Sequence, residues 1–226
     1  MYLKDIEREI DAMKPEMSRE YEELIMMYSC AMLEVKTKLE VLNTEFQIRS
    51  RRNPIEIIKC RIKTMESIEE KLRRKGLDNT MKAILENIND VAGIRVVCSF
   101  VDDIYALAGM LEMQDDVTVI DKDDYISSPK PNGYRSLHLV VEIPVFFSDR
   151  KQPMRVEVQI RTIAMDFWAS LEHQIYYKKG LTAPEGIIQE LRECAETIAS
   201  TDCRMQEIRK KLADYSKERA NSNGRS

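Results

Sequence analysis

Histidine, glycine and tryptophan are scarce in this chain: 226 residues hold 2 His, 7 Gly and 1 Trp. The five cysteines (Cys30, Cys60, Cys98, Cys194 and Cys203) form no CxxC pair. With so few imidazole and paired thiolate ligands, the spacing supports no structural zinc site, and scattered thiols suit a reducing cytosol better than a disulfide framework. The segment MYLKDIEREIDAM lacks an apolar signal region, and no apolar run approaches the roughly 18 residues a membrane span needs. There is no GxxxxGK[ST], so any grip on phosphate must come from side chains. Nor is there an excess of positive charge. The formal net charge is −4, which argues against non-specific binding to nucleic acid or anionic membrane. The expectation is a cytoplasmic protein with neither a membrane nor a stable nucleic-acid partner.

What the chain does have is 43% hydrophobic and 33% charged residues, enough for one globular domain with helical arms. Residues 1–50 contain one proline and no glycine. Their apolar residues Tyr21, Leu24, Ile25, Tyr28, Met32, Val35, Leu39 and Leu42 recur at helical spacing, which predicts one helix from Ser18 to Arg49. Residues 51–180 hold most of the glycines and β-branched runs. Helices are expected at Met65–Lys75, Asn79–Ile88, Asp102–Met113 and Thr162–Lys178, and strands at Gly93–Ser99, Val117–Lys122, Arg135–Ile143 and Met154–Arg161. Some of the connections are too short for parallel crossovers, which implies an α+β core with a mixed sheet. Within residues 181–226 a helix is expected over about 184–218, ending in the polar, disordered tail KERANSNGRS. The flanking helices either mediate oligomerisation or fold back on the core.

The most informative segment is Met154–Arg161. Alternate side chains along a strand point to opposite faces, so Met154, Val156, Val158 and Ile160 belong to the core. Arg155, Glu157, Gln159 and Arg161 then form an entirely polar face. An all-polar face is ordinarily just solvated, but further polar groups converge on this one. Arg95 interrupts an apolar strand that Asp90 immediately precedes. Asp90 and Glu157, if brought together at neighbouring strand ends, would make a two-carboxylate site for a hard cation such as Mg²⁺. The Pro- and Asn-Gly-containing loop Ser127–Tyr134 presents Lys130 and the Tyr134 ring, which can stack on a nucleobase. Tyr134, Ser136 and His138 are expected on one face. Upstream, Arg61 and Lys63 leave an extended stretch, and Ser67, Lys71, Arg74 and Lys75 fall on one side of a helix, a cationic face suited to polyphosphate. In the helix after the last strand, Ala164, Phe167, Trp168, Leu171 and Ile175 are expected to form the buried stripe, with His173 near the cleft.

These segments resemble the synthetase domain of the RelA/SpoT superfamily in five ordered motifs: RIK-x3-S-x3-K (Arg61 to Lys71), D-x-A-G-I-R (Asp90 to Arg95), P-K-x-N-G-Y-R-S-L-H (Pro129 to His138), V-E-V-Q-I-R-T (Val156 to Thr162) and F-W-A-S-x-E-H (Phe167 to His173). The resemblance implies a nucleotidyltransferase-like α+β core at 51–180, flanked by a helical arm at 1–50 and a helix with a polar tail at 181–226. With no His-Asp dipeptide for a hydrolase site, the chain is similar to the small, synthesis-only class. That class transfers pyrophosphate from ATP to the ribose 3′-hydroxyl of GDP or GTP in stringent-response signalling, and it commonly forms homotetramers through its terminal helices.

The resemblance also implies site roles. Arg61 and Arg95 would sandwich adenine, and Lys63, Ser67, Lys71, Arg74 and Lys75 would grip the ATP phosphates. Asp90 and Glu157 would hold Mg²⁺, with Glu157 as the proton acceptor. Tyr134 would stack on guanine, and Lys130, His138, Gln159, Arg161 and His173 would shape the acceptor site. Some members bind alarmone through an aromatic residue shortly before the Arg-x-Lys motif. Residues 53–59 (NPIEIIK) carry none, so no product activation is expected.

Overall fold

A computed structural model of the chain describes residues 19–50, 52–177 and 185–223. The helix start expected at Ser18 and the helix end expected at Lys178 lie outside that set. The elements in chain order are α1 (Arg19–Ser50), β1 (Ile55–Ile62), α2 (Met65–Arg74), α3 (Met81–Asn87), β2 (Ala92–Cys98), α4 (Val101–Glu112), β3 (Thr118–Asp124), β4 (Leu137–Phe146), β5 (Lys151–Thr162), α5 (Ile163–Tyr177) and α6 (Glu185–Asn223). The strands form one sheet in the order β1-β2-β5-β4-β3. Only the β2–β5 pair is parallel, so the sheet is mixed and the class is the α+β expected.

One face of the sheet is the core. Ile94 and Val96 from β2, Leu137, Leu139 and Val141 from β4, and Val156, Val158 and Ile160 from β5 are all buried there. The helix α1 lies against this layer, burying Leu24, Tyr28, Ala31, Val35 and Leu39 in the same cluster. It therefore folds back on the core, one of the two roles the sequence left open. Full burial of each Leu- or Val-sized side chain contributes about 1.5–3 kcal/mol, which commits the sheet's opposite face to whatever polar work the protein does.

The edge strand β1 was legible only as an extended stretch. Its inward residues alternate with exposed Glu56, Ile57, Lys59 and Arg61, and a register irregularity between Ile55 and Ile57 breaks the period. At the other end of the chain, α6 continues through Asn223, beyond the expected stop. The stripe predicted for α5 is also corrected. Met165, Trp168 and Ala169 are buried, whereas Phe167, Leu171 and Ile175 are exposed. The helix is turned so that Trp168 Nε1 donates to the Leu191 carbonyl (3.0 Å) and Asp166 faces the strands.

The loop before β4 is held by α6. Arg135 donates to the carbonyls of Gly133 (3.0 Å) and Ala195 (3.3 Å). Gly133 has φ +92°, and a Cβ there would lie 2.6 Å from Ala195 Cβ and 3.3 Å from Arg192 Cα. Both the backbone and the close helix demand glycine. Gly133→Ala is expected to lower unfolding free energy by about 1–3 kcal/mol, measured by denaturant titration. An unchanged midpoint would show that α6 is not seated on this loop.

Candidate active site

The register of the sheet sets out the polar face. Residues paired across strands share a face, giving one row of Arg61, Gly93, Glu157 and Val140, and a second of Lys59, Arg95, Gln159 and His138. Gly93 has no side chain, so the floor beside Glu157 is open. Of these, Arg61, Gly93, Glu157, Lys59, Arg95 and Gln159 line a cleft of about 460 Å³, which Lys63 and Asp90 also line. The two carboxylates picked out in the sequence thus meet in one cavity, with lysines and arginines around them.

Local structure explains how Asp90 arrives. Thr80 caps α3, its side chain accepting from the Ala83 amide, and the chain leaves that helix three residues before Asp90. The Lys63 amide bonds the Val91 carbonyl at 2.8 Å, which ties the end of β1 to the segment carrying Asp90. The helix α2 buries Ile68 and Leu72 and turns Lys71 toward the cleft. Lys63 and Lys71 both donate to the Asp90 carboxylate, Lys71 at 2.8 Å. Burial alone would push the Asp90 carboxyl up, but the hydrogen bonds and charges of these lysines outweigh it and hold the group below its ordinary range.

Glu157 behaves similarly. Burial raises its carboxyl, while the His138 ring (Nδ1 to Oε1, 3.6 Å) and the Gln159 amide (2.8 Å) lower it, with the like charge of Asp90 opposing them. The net direction is downward. A depressed folded value means that each carboxylate contributes stability above the ordinary carboxylate range, and that this is lost as pH falls through the folded value. The melting-temperature gap between wild type and Asp90→Asn is therefore expected to shrink on acidification through that range. A gap that widens in acid would contradict the assigned direction.

On the β4 side, Tyr134 OH pairs with His138 Nε2 (2.8 Å) and accepts from Arg161 Nη2 (2.5 Å). Lys130 Nζ lies 4.4 Å from the Tyr125 ring centre and 5.2 Å from that of Tyr134. Tyr125, Tyr134 and His138 meet edge to face, giving a cationic, aromatic wall. Ser136, by contrast, is buried, donating to the Ile160 carbonyl and accepting from Arg161 Nε.

The remaining sequence candidates lie apart from the cleft lining. Ser67 pairs with Thr64 (3.0 Å), Arg74 sits 4.0 Å from Glu70, and Lys75 donates to the Asn87 carbonyl (3.2 Å). His173 is exposed on α5, next to Glu172, which accepts from Asn132 of the Tyr134 loop (3.2 Å). Two contributors escaped sequence reasoning: Tyr125, whose only signal was another aromatic near the loop, and Asp166, which is embedded in an apolar helix.

Comparison with known proteins identifies the family. A family model described as "Region found in RelA / SpoT proteins" matches residues 60–182. GTP pyrophosphokinase YwaC of Bacillus subtilis (strain 168) is 45% identical over 188 residues, 83% of this chain and 90% of the relative. GTP pyrophosphokinase YjbM of the same strain is 39% identical over 191 residues, 84% of this chain and 89% of the relative. The crystal structure of small alarmone synthetase 1 from Bacillus subtilis bound to its product pppGpp aligns with a TM-score of 0.79 at 38% identity, covering 86% of this chain and 99% of that one. With that family model matching residues 60–182 and these relatives alike along most of their length, the chain belongs to the RelA/SpoT family.

Proposed function

We propose that the cleft binds ATP beside GDP or GTP and transfers pyrophosphate to the ribose 3′-hydroxyl, making (p)ppGpp and releasing AMP. The observation that carries this reading is the convergence of Asp90 and Glu157 in one cavity with Arg61, Lys63 and Arg95. It is supported by the pyrophosphokinase names of relatives matched over most of their length.

In this reading residues 51–180 carry the chemistry. Arg61 and Arg95 flank the adenine. Arg95 Nε is buried without a hydrogen-bond partner, a donor left for a ligand. Lys63, Ser67, Lys71, Arg74 and Lys75 grip the ATP phosphates. Tyr134 stacks on guanine, with Lys130, His138, Gln159, Arg161 and His173 around the acceptor. Glu157 takes the proton of the 3′-hydroxyl. The oxygen attacks the β-phosphorus, the bond to the bridging oxygen of the α-phosphate breaks, and AMP leaves with that oxygen. Positioning and charge neutralisation supply most of the rate.

The donor set fits Mg²⁺: two oxygen-donor carboxylates opening on a cavity with room for waters and phosphates. Asp90 and Glu157 would hold the ion, which when bound neutralises charge on the transferring phosphates. The protein acts in the cytoplasm in stringent-response signalling. None of the described helices is long and apolar enough to cross a membrane. Assembly as a homotetramer through the terminal helices is supported by Met205, Ile208, Leu212 and Tyr215, which α6 leaves exposed at alternating spacings of three and four.

The test is incubation with ATP, Mg²⁺ and GDP or GTP, followed by separation of nucleotides by charge. AMP and a guanosine species with two added phosphates are expected in equal amounts. ADP as the sole adenine product would overturn the reading.

A further inference from the structure

Asp166 occupies the first turn of α5 and is 9% exposed. Its carboxylate meets three cations from three strands. Arg161 Nη1 donates to Oδ1 at 3.4 Å, Arg95 Nη1 lies 3.5 Å from the same oxygen, and Lys59 Nζ lies 3.9 Å from Oδ2. Arg161 comes from β5 and is itself 4% exposed, Arg95 comes from β2, and Lys59 from β1. Burying an arginine without a counter-charge is costly. Around Arg95, burial and the neighbouring charges of Arg161 and Arg61 work against the charged form, and Asp166 is the carboxylate opposing them.

The arrangement is directional as well as electrostatic. Arg95 lines the cleft, where the proposed reading seats ATP. Arg161 reaches the other way, donating through Nη2 to Tyr134 OH (2.5 Å) and Gln159 Oε1 (2.8 Å) on the acceptor side. One carboxylate therefore fixes the two guanidinium groups that face the two nucleotide subsites, and α5 carries it on a rigid element anchored by Trp168.

We infer that Asp166 is a positioning residue that sets the relative placement of the ATP and guanosine nucleotide subsites through Arg95 and Arg161. The inference rests on the pyrophosphokinase reading of the same cleft. Its physical content is that losing the shared anchor loosens both subsites at once, so the reacting oxygen and phosphorus no longer meet in line. A misplacement of about 1 Å at such a site costs about 100-fold in rate.

Initial rates of AMP formation test it, with ATP and GDP varied in turn, for wild type, Asp166→Asn and Asp166→Glu, each checked by a circular-dichroism melt. Asp166→Asn is expected to lower kcat about 100-fold and to raise both KM values. Asp166→Glu restores the charge from a displaced position. It recovers most of kcat, with both KM values still above wild type and the melt unchanged. The inference is overturned if Asp166→Asn changes only one KM or leaves kcat untouched, or if Glu does no better than Asn, which would make the residue a packing element. Should the Asn variant fail to fold, wild-type constants in the Glu variant would equally overturn it. Absence of AMP from wild type overturns the pyrophosphokinase reading along with this one, whereas an active wild type matched by its variants sinks only the role of Asp166.

Discussion

Glu157→Gln is expected to leave the protein folded and to cut kcat by about 1,000-fold or more. The substitution keeps shape and hydrogen-bonding capacity. Gln159 Nε2 donates to Glu157 Oε2 at 2.8 Å, and the carboxamide oxygen of a glutamine can accept the same bond. It also relieves the like charge of Asp90, which acts on this carboxylate, and this offsets part of the stability that the ionised Glu157 contributes. What disappears is the negative charge, and with it half of the proposed metal site and the proton acceptor. Because Glu157 acts on the reacting oxygen and not on the base or sugar, KM for GDP is expected to move much less than kcat. Burst and steady-state rates of AMP release measure both. A variant retaining wild-type kcat would remove Glu157 from the chemistry while leaving the cleft as a binding site.

Asp90→Asn is the second large effect, and it differs in kind. Asp90 now balances Lys63 and Lys71. The asparagine leaves those two ammonium groups facing a neutral amide, so the cleft becomes more cationic while losing a metal ligand. Attraction for the ATP phosphates is retained, and the cation needed to activate the transfer is held less well. The expected outcome is a kcat lowered about 100-fold at low Mg²⁺, with part of the loss recovered at high Mg²⁺ and ATP KM nearly constant. Titrating Mg²⁺ at saturating ATP measures this. A magnesium dependence identical to wild type would mean that Asp90 serves only as a counter-charge for its lysines.

Both substitutions fall on residues legible in the sequence, and the reason is physical. The alternation of Met154–Arg161 fixes which side chains share a face once a strand is granted, and Glu157 on the polar side of a buried strand stands out. Asp90 needs only the strand that follows it. The sheet order does not follow from such patterns. That β2 lies parallel to β5 and pairs Gly93 with Glu157 depends on long-range packing. β1 was visible only as an extended segment because an edge strand with Glu56, Lys59 and Arg61 exposed has a weak apolar period. Asp166 was hidden for a related reason. Two of its three cations, Lys59 and Arg95, lie on other strands, and within its own helix the apolar neighbours suggested a different buried stripe. The same polar anchor accounts for that error, since turning Asp166 toward Arg95 and Arg161 carries Phe167, Leu171 and Ile175 to the surface.

The transfer itself is read most directly by the fate of a phosphorus label. With ATP labelled at the β-phosphate, wild-type protein, Mg²⁺ and GDP should move the label into the guanosine product and leave the AMP unlabelled, because attack falls on the β-phosphorus. Label retained in ADP, or released as inorganic phosphate with no labelled guanosine species, would contradict pyrophosphate transfer in this cleft.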